Sequence, residues 1–210
     1  IVVSLTVNGA LALAVVRAGD FPAGAIRRQQ IIDVTRRCYR VAFDGVSIPR
    51  DQLIEGEAVA RALRNAELLG QLLLSAEMIG GHGGVLDLTV DYLNTRETFG
   101  RKIGSYQALK HPMVDVLLEY EGARSLVYGA ATAATRDIAS QRAETLIRMA
   151  KAHSGVGFDH AGDRAVQFHG GIGFTYDCDA HLFLRRAIWA RAMFGDTGYC
   201  RRRLAELLLD

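Results

Sequence analysis

Arg96-Glu97-Thr98-Phe99-Gly100-Arg101-Lys102-Ile103 is a short polar and aromatic break between two long helical patterns, and the fold is read outward from it. Residues 60–95 precede it with few helix breakers. After it, between Tyr106 and Val127, Leu109, Met113, Val116, Leu117, Tyr120 and Val127 recur at helical spacing while Asp115, Glu119 and Arg124 take other faces. Similar runs fill 142–168 and 179–208. Four long amphipathic runs predict an antiparallel four-helix bundle. Pro112 inside the second run predicts a kink or a late helix start, because its ring denies the backbone a hydrogen bond. Gly80-Gly81-His82-Gly83-Gly84 interrupts the first run, and each glycine weakens a helix by about 1 kcal/mol. Close packing or a bend must offset that cost.

Upstream the pattern is β. Ile1 to Val7 and Ala10 to Val16 are apolar runs separated by Asn8-Gly9, a pair that tolerates positive φ and suits a type I′ hairpin turn. Residues 20–30 read as a charged turn. Ile31 to Ile48 resumes as strand, with Tyr39, Val41 and Phe43 on one face, and Asp44-Gly45 and Pro49 close it. The expected fold class is mainly α: a C-terminal antiparallel four-helix bundle over 58–210, preceded over 1–57 by part of a β domain.

Of the 210 residues half are apolar, and the net charge is +2, so the chain can bury a substantial core. Mixed-sign charge makes the doublets Arg27-Arg28, Arg36-Arg37 and Arg185-Arg186 solvated or inter-subunit features, with no demand for nucleic acid. Cys38, Cys178 and Cys200 are too far apart for a C-x-x-C metal site and odd in number, which predicts reduced thiols, a cytoplasmic setting and no metal. Ile1 to Val16 lacks a basic start and is interrupted by polar residues, unlike a signal peptide. No apolar run approaches the roughly 20 residues of a membrane span.

Arg96 stands where a helix ends, and there the macrodipole alone favours a guanidinium. Its neighbours Thr98, Phe99 and Gly100 add a hydroxyl, an aromatic surface and a turn, a set suited to a dinucleotide with flat rings and a pyrophosphate. Far downstream stands Gln167-Phe168-His169-Gly170-Gly171-Ile172-Gly173-Phe174. Paired glycines between helices commonly just turn the chain, but they also let a ligand approach the backbone, with Gln167 able to bond an adenine edge or phosphate.

In that order and approximate spacing, the two segments resemble the flavin-binding signatures of the acyl-CoA dehydrogenase family. Phe43-Asp44-Gly45-Val46-Ser47-Ile48-Pro49 is similar to the exit of that family's middle β domain, and residues from 58 on are similar to its C-terminal helical domain. The likeness covers nearly the whole chain but only the later part of the family's architecture. It implies that Arg96, Thr98, Phe99, Gln107, Gln167, Gly170, Gly171 and Thr197 contact FAD, several reaching the cofactor of a neighbouring subunit. It further implies an oligomer, an acyl-CoA substrate, an electron-transfer acceptor, and α,β-dehydrogenation of the thioester with a carboxylate removing the α-proton.

That carboxylate is missing from both places where the family keeps it. Where the family reads I-Y-E-G-T this chain reads Met193-Phe194-Gly195-Asp196-Thr197, with Gly195 at the glutamate's place; the alternative helix position corresponds to Gly70. Asp196, one residue out of register, and Glu67, one turn from Gly70 at about 4.5 Å along the axis, are the remaining candidates for a base. The double loss suits a heteromer, as known in the family among actinobacterial enzymes of steroid-type CoA thioesters, in which this chain is the subunit without the base. A non-catalytic acyl-CoA or FAD-binding scaffold is the alternative. His153, His160 and His169 have no partner at ligand or triad spacing and are expected to be structural.

Overall fold

The computed structural model describes residues 1–209 and divides into two compact units, Ile1–Ala66 and Glu67–Asp210. In the first, β1 (Val2–Val7) pairs antiparallel with β2 (Ala10–Val15), and β2 pairs with β5 (Leu53–Glu55). Asn8 and Gly9 carry φ of 50° and 82° at the hairpin, the double positive φ that a type I′ turn demands. Ala12, Ala14 and Val16 alternate into the buried face.

The expected long strand over 31–48 is not there. Only Cys38–Val41 (β4) is extended, and its partner β3 (Ile26–Gln29) lies in the stretch read as a turn. Between them Asp33 Oδ1 accepts from both the Thr35 N–H (3.0 Å) and the Thr35 hydroxyl (2.6 Å), and a side chain that bonds nearby backbone this way draws it out of a ladder.

The second unit is helical. α1 (Ala58–Thr95), α2 (Gln107–Asp137) and α3 (Gln141–His169) are long, and α3 is the central element, with fifteen buried residues. The fourth run is broken, contrary to expectation, into α4 (Ala180–Ala192) and α5 (Thr197–Leu209) by the Met193–Asp196 turn. Helix α2 starts five residues before Pro112, so the proline delays nothing. Three glycines of the α1 cluster pack closely: a Cβ on Gly81 would lie 2.4 Å from Phe158 Cζ, one on Gly83 3.2 Å from the Tyr120 ring and one on Gly84 3.3 Å from Phe183, whereas Gly80 faces open space. Leu74, Met78, Val85, Val116 and Phe158 share the core that results. No helix of the described residues is long and apolar enough to cross a membrane.

Candidate functional site

At one end of the helical unit α1 gives way to a minimal hairpin, β6 (Glu97–Thr98) with β7 (Arg101–Lys102). Its two turn residues, Phe99 and Gly100, have φ of 55° and 75°. Positive φ is uncommon for a bulky residue, and Phe99 gains no burial from it: the side chain is 92% exposed. The hairpin is nonetheless fixed. Ile103 N–H donates to Arg96 O at 2.9 Å, the Tyr106 hydroxyl donates to Thr98 O at 3.2 Å, and the Arg101 guanidinium stacks 3.9 Å over the Tyr106 ring. Gln107 opens α2 directly behind it.

Helix α3 ends at the same place. The His169 ring stacks on Tyr92 near the end of α1, centroids 4.3 Å apart, and its Nδ1 faces Ala165 O at 2.8 Å. Gly170 then turns the chain with φ 62° and ψ −139°. Around Gly170 and Gly171 a Cβ would meet nothing within 4 Å, whereas one on Gly173 would lie 2.4 Å from Val166 O. Gly173 is therefore a packing glycine, and Gly170 and Gly171 leave their backbone open to an approaching group. Arg96, Gln167, Gly170 and Gly171 are all exposed. A guanidinium, a bare aromatic face and open backbone at one bundle end fit a flat-ringed, anionic dinucleotide.

The opposite end is closed. Between α4 and α5, Phe194 and Gly195 have φ of 54° and 94°. Gln71 Nε2 donates to Phe194 O at 2.8 Å, and the Lys151 ammonium donates to Arg191 O and Gly195 O, both at 3.0 Å. Asp196 Oδ1 caps α5 by accepting the Tyr199 N–H at 2.7 Å. Glu67 Oε1 accepts from Gln71 Nε2 (3.0 Å), Arg148 Nη1 (3.1 Å) and the Tyr199 hydroxyl (2.9 Å). Arg148 also holds the buried Glu144 at 2.7 Å. The Thr197 hydroxyl oxygen is buried with no hydrogen-bond partner, an acceptor and donor left over at this turn.

Burial would lower the Arg148 pKa, but the bond to Glu144 and the charges of Glu144 and Glu67 outweigh it and raise the value. Burial lowers that of Lys151, and burial with the bond to Glu67 raises that of Tyr199. Arg148, Glu144 and Lys151 are each 1% exposed, so this turn rests on charges that the core has to neutralise internally.

These residues escaped attention in the sequence, although a signal was present. Glu144, Arg148 and Lys151 fall at i, i+4 and i+7 on the α3 stripe shared with Ile147 and Ala150, charged interruptions of an apolar face. Of the histidines, His160 Nδ1 faces Glu119 at 2.9 Å, a partner that spacing along the chain did not indicate, and His82, buried against Val116 O, has a pKa lowered to about 4 mainly by burial. Gly70 on α1 lies under Phe194, while Arg96 follows the last residue of the same helix, a separation of about 39 Å along its axis. Among the described residues no group of three or more metal-ligating side chains assembles.

Known proteins agree with this architecture. The chain is 36% identical over 133 residues to the acyl-CoA dehydrogenase IpdE2 of Mycolicibacterium smegmatis, covering 63% of this chain and 40% of that one. It is 38% identical over 144 residues to the acyl-CoA dehydrogenase FadE34 of Mycobacterium tuberculosis, covering 67% and 20%. It thus spans well under half the length of these relatives. Among solved structures, the ChsE4-ChsE5 complex from Mycobacterium tuberculosis superposes with a TM-score of 0.88 at 24% identity, over 100% of this chain and 55% of that one. Residues 56–209 match the description "Acyl-CoA dehydrogenase, C-terminal domain", and the chain belongs to that family.

Proposed function

We propose that this chain is part of a subunit of an FAD-dependent acyl-CoA dehydrogenase that desaturates an acyl-CoA thioester between its α and β carbons, and that it supplies no base of its own. Within this assignment residues 1–57 are the later strands of the middle β domain and residues 58–210 the C-terminal helical domain. The observation that carries the reading is the convergence of Arg96, Phe99, Gln167, Gly170 and Gly171 on one bundle end. Arg96 would pair with the pyrophosphate, Phe99 would cover a ring, Thr98 and Gln107 would bond polar edges beside it, and the Gly170 and Gly171 backbone would lie against the nucleotide.

Thr197, with its unpartnered buried hydroxyl, follows the Phe194 turn that covers Gly70, and Gly70 lies about 39 Å from Arg96 along α1. One extended dinucleotide does not reach both. Arg96 and Thr197 of one chain would therefore serve different FAD molecules, which supports an oligomer with each cofactor held between subunits.

The flavin, when bound, accepts the β-hydrogen as hydride. The α-proton needs a carboxylate poised to take it, and this chain holds neither candidate free. Glu67 Oε1 is engaged by three donors, one of them a guanidinium, and Asp196 is engaged as a helix cap. The base would come from a partner subunit, with electrons leaving to a separate acceptor. Purification with co-expressed family subunits, a flavin count and anaerobic acyl-CoA titration test this. Full turnover by the chain alone with one FAD per protomer rejects the baseless-subunit reading, and loss of that turnover in Glu67→Gln would assign the base to Glu67.

The closed Phe194 turn also supports a second reading, a scaffold that binds FAD or acyl-CoA without turnover. It predicts a ligand-induced rise in melting temperature with no flavin bleaching in any subunit combination.

A further inference from the structure

Positions 70 and 195 lack side chains for a reason visible only in three dimensions. A Cβ on Gly70 would lie 2.5 Å from Phe194 Cε1 and 2.7 Å from Cδ1 and Cζ. A Cβ on Gly195 would lie 2.3 Å from Tyr199 Cδ1 and 2.9 Å from Cε1. Carbon atoms in contact sit about 3.5–4.0 Å apart, so both positions are already occupied by rings.

Neither ring is loosely placed. Tyr199 is tied at its backbone to Asp196 and at its hydroxyl to Glu67, with Arg148 5.3 Å from its centroid. Gly195 has φ +94°, which an L side chain resists whatever the space. The Phe194 carbonyl is held by Gln71, and its positive φ directs the side chain over Gly70 while 54% of the residue remains exposed.

We propose that Phe194 and Tyr199 close this turn to any carboxylate, so that no single substitution at 70 or 195 seats a proton-abstracting side chain, and a bound acyl group meets an aromatic face there instead. The proposal rests on the acyl-CoA dehydrogenase reading and adds to it. The missing base is a packed feature of the turn.

The test uses the full-length protein with the subunits it assembles with. In thermal melts Gly70→Ala should lower Tm by about 4 °C, and most of that loss should vanish in the Phe194→Ala background. Gly195→Ala should cost more; Tyr199→Phe, which keeps the ring, should leave that cost unchanged, and Tyr199→Ala should reduce it. Strict additivity of Gly70→Ala and Phe194→Ala overturns the closure, and that pair decides alone if the variants at 195 fail to fold.

The second readout is anaerobic bleaching of flavin by octanoyl-CoA. Gly70→Glu and Gly195→Glu should bleach no more than the unaltered protein, and a gain in either single variant overturns the exclusion. A protein that holds no flavin in any preparation refutes the acyl-CoA dehydrogenase reading instead, while the melting cycle still judges the rings.

Discussion

At the Arg96 end of the helical unit the chain leaves Phe99, Gly170 and Gly171 bare, whereas at the Phe194 end every backbone turn is tied to a side chain from another helix. Both ends place a phenylalanine at positive φ, Phe99 at 55° and Phe194 at 54°, yet one ring stands in open space and the other covers a glycine. The same local strain thus serves two purposes. The first end stays open to solvent, and the second is satisfied by the chain itself, at the cost of burying Arg148, Glu144 and Lys151.

If that contrast holds, the largest effect comes from the closed end. Arg148→Ala takes from the buried Glu144 its 2.7 Å ion pair, leaving Arg203 at 3.9 Å, and removes the guanidinium from Glu67; it should destabilise the protein by about 3–5 kcal/mol in urea unfolding. A loss no larger than that of an exposed ion pair would mean the turn is not held from below.

The interior between the ends has its own signature. His82 keeps its proton less tightly folded (pKa about 4) than unfolded (6.5), so the unfolded chain binds the proton first as pH falls. Its contribution is fully present above pH 6.5 and is lost on descending toward pH 4, roughly 3 kcal/mol in all. His82→Gln should flatten the stability profile over that window, read by urea unfolding at a series of pH values.

At the open end the expected effects fall on binding alone. Arg96→Gln should weaken FAD about tenfold, read by flavin fluorescence, with no change in the melting temperature of the flavin-free protein. A fall in stability there would show that the open end is structural after all. The smallest effect is Asp196→Ala, which removes the α5 cap and should cost about 1 kcal/mol in the same unfolding assay.

Much of this was legible from residue order. Helical periodicity located α1 to α3 because each has one face that must be buried, and Asn8-Gly9 located the first hairpin because few dipeptides accept two positive φ angles. The short β3–β4 ribbon and the break between α4 and α5 were not legible. The first depends on Asp33 and Thr35 bonding each other across two residues, and the second on Lys151 and Gln71 drawing in carbonyls from far along the sequence.

The order of residues by itself determined that this chain would form a helical bundle with two glycine-bearing turns, and that neither Gly70 nor Gly195 carries an acid. Only the tertiary structure decided that the two turns share one bundle end through Tyr92 and His169, and that both empty positions are filled by rings from the α4–α5 turn and the helix after it. Periodicity is a property of neighbours along the chain, whereas the occupancy of a missing side chain's volume is set by atoms that folding alone brings within contact distance.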